Sequence, residues 1–589
     1  MSKKLYFLNS FYQRPRFAKS NGKYVKVKND FLQINLKDCE TNETKLMYLE
    51  NPDIDFYVTK SRDYTYPRMS MPKTELTKIR CKYADKDREL AKAIGKLNEF
   101  YDACRTPARW EVDFEGNPYK VDYKRKFMQN EIYNSPFIYM GDMDIEDLYK
   151  NYFMEKYGRD IYLKYGKFKQ AFLDIEADQY RDDWNIEDFT APINSVTYLD
   201  LNTNTLYALA LNNQPENQDL IDVMNNKDDF LINFVKREAC DDDLKYDIRF
   251  YNDESDLLVN LWRIIHITKP DFCGIWNMNF DIPYILKRMT ILGLNLEEIC
   301  CHPEVDEKFR VVYYKEDKDR NANRLAAINS ENKHPSRLWD WVYISGYTQF
   351  YDMMALYSLI RKRYILPSYK LDEIAFSETG YRKLDYHTMG YTIRKLAHQN
   401  FKIFLAYSII DTIRLKQIEA ITSDLHRTII FCDNTKIENS QKISVVIKND
   451  MYRFYLDNPK GPEIIGNNVS YNIKEKIDGA IIASPDKLKI AGRGILNSEG
   501  FVYDNVVDFD QASEYPRVIL SSNISKNSLY GRVVKIINNE VERTDDPSEF
   551  NKLLQTLDTS IFELMTKYYG LPTVDELLHK IEKAYYDMK

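Results

Sequence analysis

The chain has 589 residues, room for two to four cores, and its 14% aromatic content with only 19 Gly and 20 Pro excludes a linker-like or disordered polypeptide. A net charge of −7 gives no overall basic signature, and eight cysteines without a CxxC pair encode neither a disulfide framework nor a zinc site. No signal peptide and no apolar run long enough to cross a bilayer is present, so no membrane partner is expected and the expected location is the cytoplasm.

Basic residues are nevertheless clustered: Lys3, Lys4, Arg14, Arg16, Lys19, Lys23, Lys26 and Lys28 form one run, and Arg361, Lys362, Arg363, Lys370, Arg382, Lys383, Arg394 and Lys395 another. Either run can follow a phosphate backbone or simply face solvent. Up to about residue 165 short strands alternate with charged helices, as in the helical stretch Asp85 to Tyr101. From about Lys167 the pattern changes. An apolar strand over Ala171 to Ala177 is followed by Ile193 to Leu201 and Leu206 to Leu211, joined by Asn202, Thr203, Asn204 and Thr205, whose short polar side chains mark a hairpin turn. Leu257 to Ile267 has helical spacing, Phe272 to Trp276 reads as a short buried strand, and a helix opens near Pro283 and closes at Gly293. Cys300, Cys301 and His302 lack a second ligand cluster and read as incidental. Strand-like pieces at Phe309 to Tyr314 and Trp341 to Tyr347 bracket a polar segment, which predicts a projecting hairpin near residues 307–348. Phe404 to Ile418 is strongly helical. The expected organisation is an N-terminal domain over 1–165 completed by 424–470, a mixed α/β domain over 166–423 carrying the hairpin, and a third domain over 471–589.

Chemistry concentrates in the middle domain. Side chains alternate along a strand, so Asp174 and Glu176 project from one face while Leu173 and Ile175 point into the core. Two like charges that close are unfavourable, and a divalent cation is the usual relief. In the run Asn277 to Pro283, Asp281 falls where a strand gives way to a helix, and in Tyr407 to Asp411 a four-residue spacing stacks Tyr407 and Asp411 on one helix face. Each pattern alone has a bland reading: a surface strand, an N-cap, or a core tyrosine with a surface aspartate.

Taken together, Asp-x-Glu, Asn-x-x-Phe-Asp and Tyr-x-x-x-Asp in this order resemble the three exonuclease motifs of the family B DNA polymerases, the phage replicative enzymes above all. The resemblance extends to Pro367-Ser368-Tyr369-Lys370-Leu371-Asp372 and Arg382-Lys383-Leu384-Asp385-Tyr386. It implies a DnaQ-like fold related to ribonuclease H and a two-metal 3′→5′ exonuclease acting on single-stranded 3′ ends. Two Mg²⁺ ions about 4 Å apart, for which Mn²⁺ can substitute, supply an activated water, charge neutralisation and stabilisation of the leaving oxygen. By the same resemblance Asp174, Glu176 and Asp411 hold metal, Asp281 acts largely through water, and Tyr407 orients the attacking water. Asn277 and Phe280 grip the frayed 3′ end, Phe280 by stacking, and Lys383 neutralises phosphate charge.

Near Asn505 to Asp510 a further strand pattern sends Asp508 and Asp510 to one face and runs into Gln511 to Pro516. It resembles the first palm motif of the same family, and Ile477 to Ala480 the link before it. The match makes Asp510 a metal-binding carboxylate, Ser513 and Glu514 donors of backbone amides to a nucleotide, and Tyr515 the residue beneath its sugar. Glu514 departs from the apolar residue usual there.

A second palm aspartate is needed for nucleotide addition. Thr544, Asp545 and Asp546 lie in a polar stretch without a strand pattern and read as a loop. Lys526 to Gly531 imitates the fingers motif only a few turns after the palm motif, which is too early in the chain. Two helices, from Glu549 to Tyr569 and from Thr573 on, close the sequence, the last with an apolar stripe of Val574, Leu577, Leu578, Ile581 and Tyr585. The expectation is one part of a split polymerase, with N-terminal, exonuclease and incomplete palm domains in α/β and α+β classes. Its expected partners are primer-template DNA, a second chain carrying the remaining palm, fingers and thumb, and a sliding clamp. The alternatives are a free-standing exonuclease with a vestigial palm and a non-catalytic DNA-binding scaffold.

Overall fold

A computed structural model describes residues 5–431 except 21–22, 61–69, 113–117, 134, 136, 158–166, 181–188, 242, 316–334, 338, 362–365 and 367; beyond 431 it describes 437, 445–446, 449, 464–466, 535–537 and 540–542. The chain divides into two compact units, one of residues 1–62, 72–133 and 137–466, the other of 63–71, 134–136 and 467–589. In the second unit an antiparallel pair, Lys535–Ile537 with Glu540–Glu542, is described. The expected strand before Asp510, the motif imitations at 526–531 and 544–546 and the two terminal helices lie outside the described residues.

The first unit opens with an antiparallel sheet of β1 (Leu5–Gln13), β2 (Phe31–Asp38) and β3 (Thr44–Glu50), with β2 central and buried along its whole length. A second sheet pairs β4 (Asp53–Thr59) with β5 (Leu76–Lys82) and β6 (Ile138–Tyr139), and the helix α3 (Ile145–Tyr157) follows it. Where the sequence predicts one helical stretch over Asp85 to Tyr101, there are two helices, α1 (Lys86–Ala93) and α2 (Leu97–Arg105). The break falls at Gly95, whose φ of +78° only glycine adopts without strain, and the Lys96 N–H turns back to the Ala91 carbonyl.

The mixed domain is built on β7 (Gln170–Ala177), β8 (Ile193–Asp200), β9 (Thr205–Leu211), β10 (Lys245–Tyr251) and β11 (Phe272–Ile275). A hairpin of β12 (Val312–Lys315) and β13 (Trp341–Ile344) precedes β14 (Gln349–Asp352). Six strands form one sheet in the order β10-β9-β8-β7-β11-β14. β8 runs antiparallel to both neighbours, and the remaining pairs are parallel. Asn204, at φ +53°, turns the chain between β8 and β9 as its residue type allows.

Alternation along the strands divides the core. Phe172, Leu199, Ala208 and Ala210 face one layer, containing α6 (Met353–Ile360), α7 (Leu371–Thr379) and α8 (Phe401–Thr422). Leu173, Ile175, Val196 and Leu209 face the other, with α4 (Glu254–Thr268) and α5 (Met278–Ile291). The sheet is thus covered on both sides, as parallel strands require. Helix α5 begins at Met278, not near Pro283: Asn277 is the N-cap, and Asp281 sits a turn inside the helix instead of at its edge. Pro283 lies in the second turn of α5, where its φ is already fixed for helix but it has no N–H to give the turn before it.

The N-terminal sheet and the mixed domain share buried polar contacts. Lys37 and Asp271 form a buried ion pair, and Asp271 also accepts from the Thr44 hydroxyl and, at 2.7 Å, from the Lys169 N–H. Gln33 and Asn35 donate to the Gly346 carbonyl at 2.8 and 3.1 Å, below the base of the β12–β13 hairpin, and Tyr48 stacks on Phe309 with ring centres 4.4 Å apart. Cys300 and Cys301 are buried, and the His302 ring bonds the His266 carbonyl at 3.2 Å, which is ordinary core packing. Among the described residues no helix is long and apolar enough to cross a membrane.

Candidate active site

Asp174 and Glu176 leave the same face of β7, with Leu173 and Ile175 buried between them on the other. Directly across the ladder, Asp174 pairs with Thr197 and Glu176 with Ser195 on β8. Those two hydroxyls fasten α8 to the sheet: Ser195 Oγ lies 3.0 Å from Ser408 Oγ, and Thr197 Oγ1 lies 2.6 Å from Thr412 Oγ1 and donates to the Ser408 carbonyl at 3.2 Å. Ser408 and Thr412 each follow one residue after Tyr407 and Asp411. Four small polar side chains, all without exposed surface, therefore set the height at which Tyr407 and Asp411 meet the strand.

The result is a carboxylate cluster in which the ligand oxygens of Asp174, Glu176 and Asp411 lie within 4.8 Å of one another. Asp281 is not part of that group, but it lines the same cleft, close enough for the charges of Asp174 and Glu176 to act on it. The cleft has a volume of about 1040 Å³ and is also lined by Asn277, Phe280, Lys383 and Tyr407, so all eight residues that the sequence assigns to the exonuclease meet at one place. Asp510, Ser513, Glu514 and Tyr515 lie outside the described residues.

Lys383 forms an ion pair with Asp411 and stands 4.6 Å from the centre of the Tyr407 ring. Its backbone is held from two sides. The Lys383 N–H donates to Asp372 at 2.8 Å, and buried Arg414 donates from Nε to the Arg382 carbonyl at 2.9 Å. Trp276 Nε1 donates to the Tyr369 carbonyl at 3.1 Å, tying the segment before α7 to the end of β11. Arg414, Ser195, Thr197, Ser408 and Thr412 have no signature in the sequence, because each acts through a partner distant along the chain.

Asp174 and Glu176 keep part of their surface open to the cleft yet lie deep in the protein. Burial, reinforced by the neighbouring Asp411, pushes the Asp174 carboxyl up to about 7. Glu176 and Asp281 are raised well above the carboxylate range by burial and then by their acidic neighbours. Asp411 is raised by burial and partly held down by Lys383. Four carboxyl groups share one ammonium, and Asp174 Oδ2 and Asp411 Oδ1 are buried with no hydrogen-bond partner among the described residues. Hard oxygens that hold protons only because of burial and acidic neighbours fit a divalent cation, which would take the place of those protons.

Residues 210–374 match the family model for the exonuclease domain of DNA polymerase family B. The chain is 25% identical over 296 residues to the DNA-directed DNA polymerase of Enterobacteria phage T4, covering 48% of this chain and 27% of that protein. Over 398 residues it is 23% identical to the DNA-directed DNA polymerase of Escherichia phage RB69, covering 66% and 39%. The chain is related to the phage-type family B DNA polymerases. The DNA polymerase delta catalytic subunit of Plasmodium falciparum is 23% identical over 290 residues, covering 48% and 23%, so each of these relatives is matched over less than half its length. The model match contains Asn277, Phe280 and Asp281. Asp174 and Glu176 precede it, Lys383, Tyr407 and Asp411 follow it, and the hydroxyl contacts between β8 and α8 bind these flanks into one site.

Proposed function

We propose that this chain is a two-metal 3′→5′ proofreading exonuclease carrying part of a family B polymerase palm. The observation that carries the reading is the convergence of Asp174, Glu176 and Asp411, two of them with an unpartnered buried oxygen, with Asp281 in the same cleft. A sheet whose second strand in chain order is antiparallel to its neighbours, with helices on both faces, supports the ribonuclease H-like assignment.

Asp174, Glu176 and Asp411 would hold Mg²⁺, with Asp281 acting through water. When bound, the ions supply an activated water, neutralise phosphate charge and stabilise the leaving 3′ oxygen. The remaining work falls to the protein. Tyr407 stays protonated, because burial and the acidic neighbours raise its hydroxyl well above the usual tyrosine range, so it can donate to or orient the attacking water. Phe280 stacks on the terminal base and Asn277 bonds the terminal nucleotide. Lys383 brings a positive charge to the phosphate from a backbone clamped by Asp372 and Arg414.

The test is digestion of single-stranded DNA with a labelled 5′ end. Asp174→Ala with Glu176→Ala should abolish Mg²⁺-dependent shortening while the circular dichroism spectrum is kept; undiminished digestion by the folded double variant would defeat the assignment. For synthesis, the palm motif at Asp510 to Pro516 needs a second carboxylate, and no recognisable motif among these 589 residues offers one. We propose that polypeptide outside these residues, in this or a second chain, supplies it. The isolated chain should shorten primers without extending them, and robust extension by it alone would overturn this part.

A further inference from the structure

Tyr180 is 52% exposed, yet its ring is held. One face lies on the ring of His398, with centroids 4.3 Å apart and planes 25° from parallel. His398 Nε2 is 3.0 and 3.1 Å from the two oxygens of Asp178; a carboxylate only accepts, so Nε2 carries the hydrogen and the imidazole is fixed in place. Asp178 Oδ1 also accepts the Tyr180 N–H at 3.1 Å, and the Asp178 N–H donates to the Pro192 carbonyl at 2.8 Å. An exposed ring on a support fixed this way has given up conformational freedom before anything binds it.

The pair stands at the edge of the site. Asp178 comes two residues after Glu176, at most about 7 Å along the chain, and Tyr180 four residues after it, at most about 14 Å. His398 belongs to the short helix Ile393–Gln399, separated only by Asn400 from α8, which carries Tyr407 and Asp411. The contact therefore joins the two flanks of the carboxylate cluster, outside the lining of the cleft. One turn before His398 on the same helix stand Arg394 and Lys395, exposed members of the second basic run. The Asp178 carboxylate, with its side chain 12% exposed, is turned to His398 rather than to solvent. An open aromatic face beside exposed cations matches the chemistry of an unpaired nucleobase and its phosphate.

We infer that Tyr180, positioned by His398, is a stacking subsite for an unpaired base of single-stranded DNA a few nucleotides back from the 3′ terminus, with Arg394 and Lys395 toward its phosphates. The inference rests on the exonuclease reading for its substrate. Stacking tolerates any base, which suits a strand whose bases must all pass in turn.

Binding is read by fluorescence anisotropy of a labelled twelve-nucleotide strand on the Asp174→Asn, Glu176→Gln protein, which leaves the strand uncut. Adding Tyr180→Ala should raise Kd about tenfold, the scale of one lost base–aromatic stack, and adding Tyr180→Phe should leave it within about twofold. His398→Ala should weaken binding as Tyr180→Ala does, and the two together should be no worse than either; multiplying effects would mean that His398 does not act through Tyr180. In digestion with the carboxylates intact, Tyr180→Ala should raise KM for the twelve-nucleotide strand about tenfold with kcat changed less than about twofold. A dinucleotide, too short to reach Tyr180, should be cut alike by the variant and the wild type, whereas an equal loss on the dinucleotide would show that Tyr180 only shapes the cleft and overturn the subsite. A wild type that digests DNA, with Kd and KM unmoved by Tyr180→Ala, sinks the subsite and spares the exonuclease. A wild type that digests nothing but binds the strand through Tyr180 does the reverse, and one that neither digests nor binds overturns both.

Discussion

Two groups of buried charge in the mixed domain are built on opposite terms. On one side of the sheet, Arg288 of α5 forms a buried ion pair with Glu254 of α4; its remaining N–H groups go to the Phe189 and Thr190 carbonyls at 3.1 and 2.9 Å, and Glu254 also accepts the Ile193 N–H at 2.9 Å. Every strong donor and acceptor there has a counterpart. In the cleft, Asp174, Glu176, Asp281 and Asp411 have one partly exposed lysine among them, and two carboxylate oxygens go without any hydrogen bond among the described residues. Charge that supports the fold is matched; charge that awaits a ligand is left in surplus.

That contrast can be broken by substitution. The largest effect is expected in the cleft, where Asp174→Asn with Glu176→Gln should reduce digestion to background and yet hold or raise the melting temperature, since it removes repulsion rather than a bond; a marked loss of stability would show that the cluster is structural. At the matched pair the outcome should invert. Arg288→Met leaves Glu254 buried and unpaired and should cost about 3–5 kcal/mol in urea unfolding, with activity per folded molecule retained.

Acidity sharpens the same difference. With raised carboxyl groups the metal-free native state binds more protons than the unfolded chain, so the stability contributed at low pH is lost as pH rises through about 7 for Asp174. Melting in a chelator should fall from about pH 5 to about pH 8, and Mg²⁺ should flatten that decline by taking the place of the protons. Identical profiles with and without Mg²⁺ would contradict a cation site. The smallest effect belongs to the hydroxyls beneath the cluster: Thr412→Val should cost about 1 kcal/mol, with a modest fall in digestion rate as Asp411 loses its register against β7.

Much of the site could be read from the chain itself, because its signals are local. Alternation put Asp174 and Glu176 on one face, a four-residue step joined Tyr407 to Asp411, and Asn202 to Thr205 marked the turn between β8 and β9. What escaped is relational. Ser195, Thr197, Ser408 and Thr412 are commonplace residues until β8 and α8 touch. Arg414 looks like any basic residue of a helix until the strap carrying Lys383 lies against it. The helix start expected at Pro283 falls five residues earlier, at Met278, because the proline sits inside the second turn at the cost of one backbone hydrogen bond, and the stretch over 85–101 was split by one glycine whose backbone freedom no periodicity reports.

The buried pairing of Lys37 with Asp271 bears on how this chain can be dissected. Asp271 stands immediately before β11, and the N–H of Lys169, at the entrance to β7, leans on the same carboxylate. A gene fragment starting at residue 166 would take away that aspartate's cation and uncover the seam where Gln33, Asn35 and Tyr48 now pack, at the root of the two strands that end beside the cleft. Attempts to isolate the mixed domain by trimming the first sheet should yield insoluble protein, or protein with less of the proposed activity. The opening 60 or so residues belong in any minimal active version of the molecule.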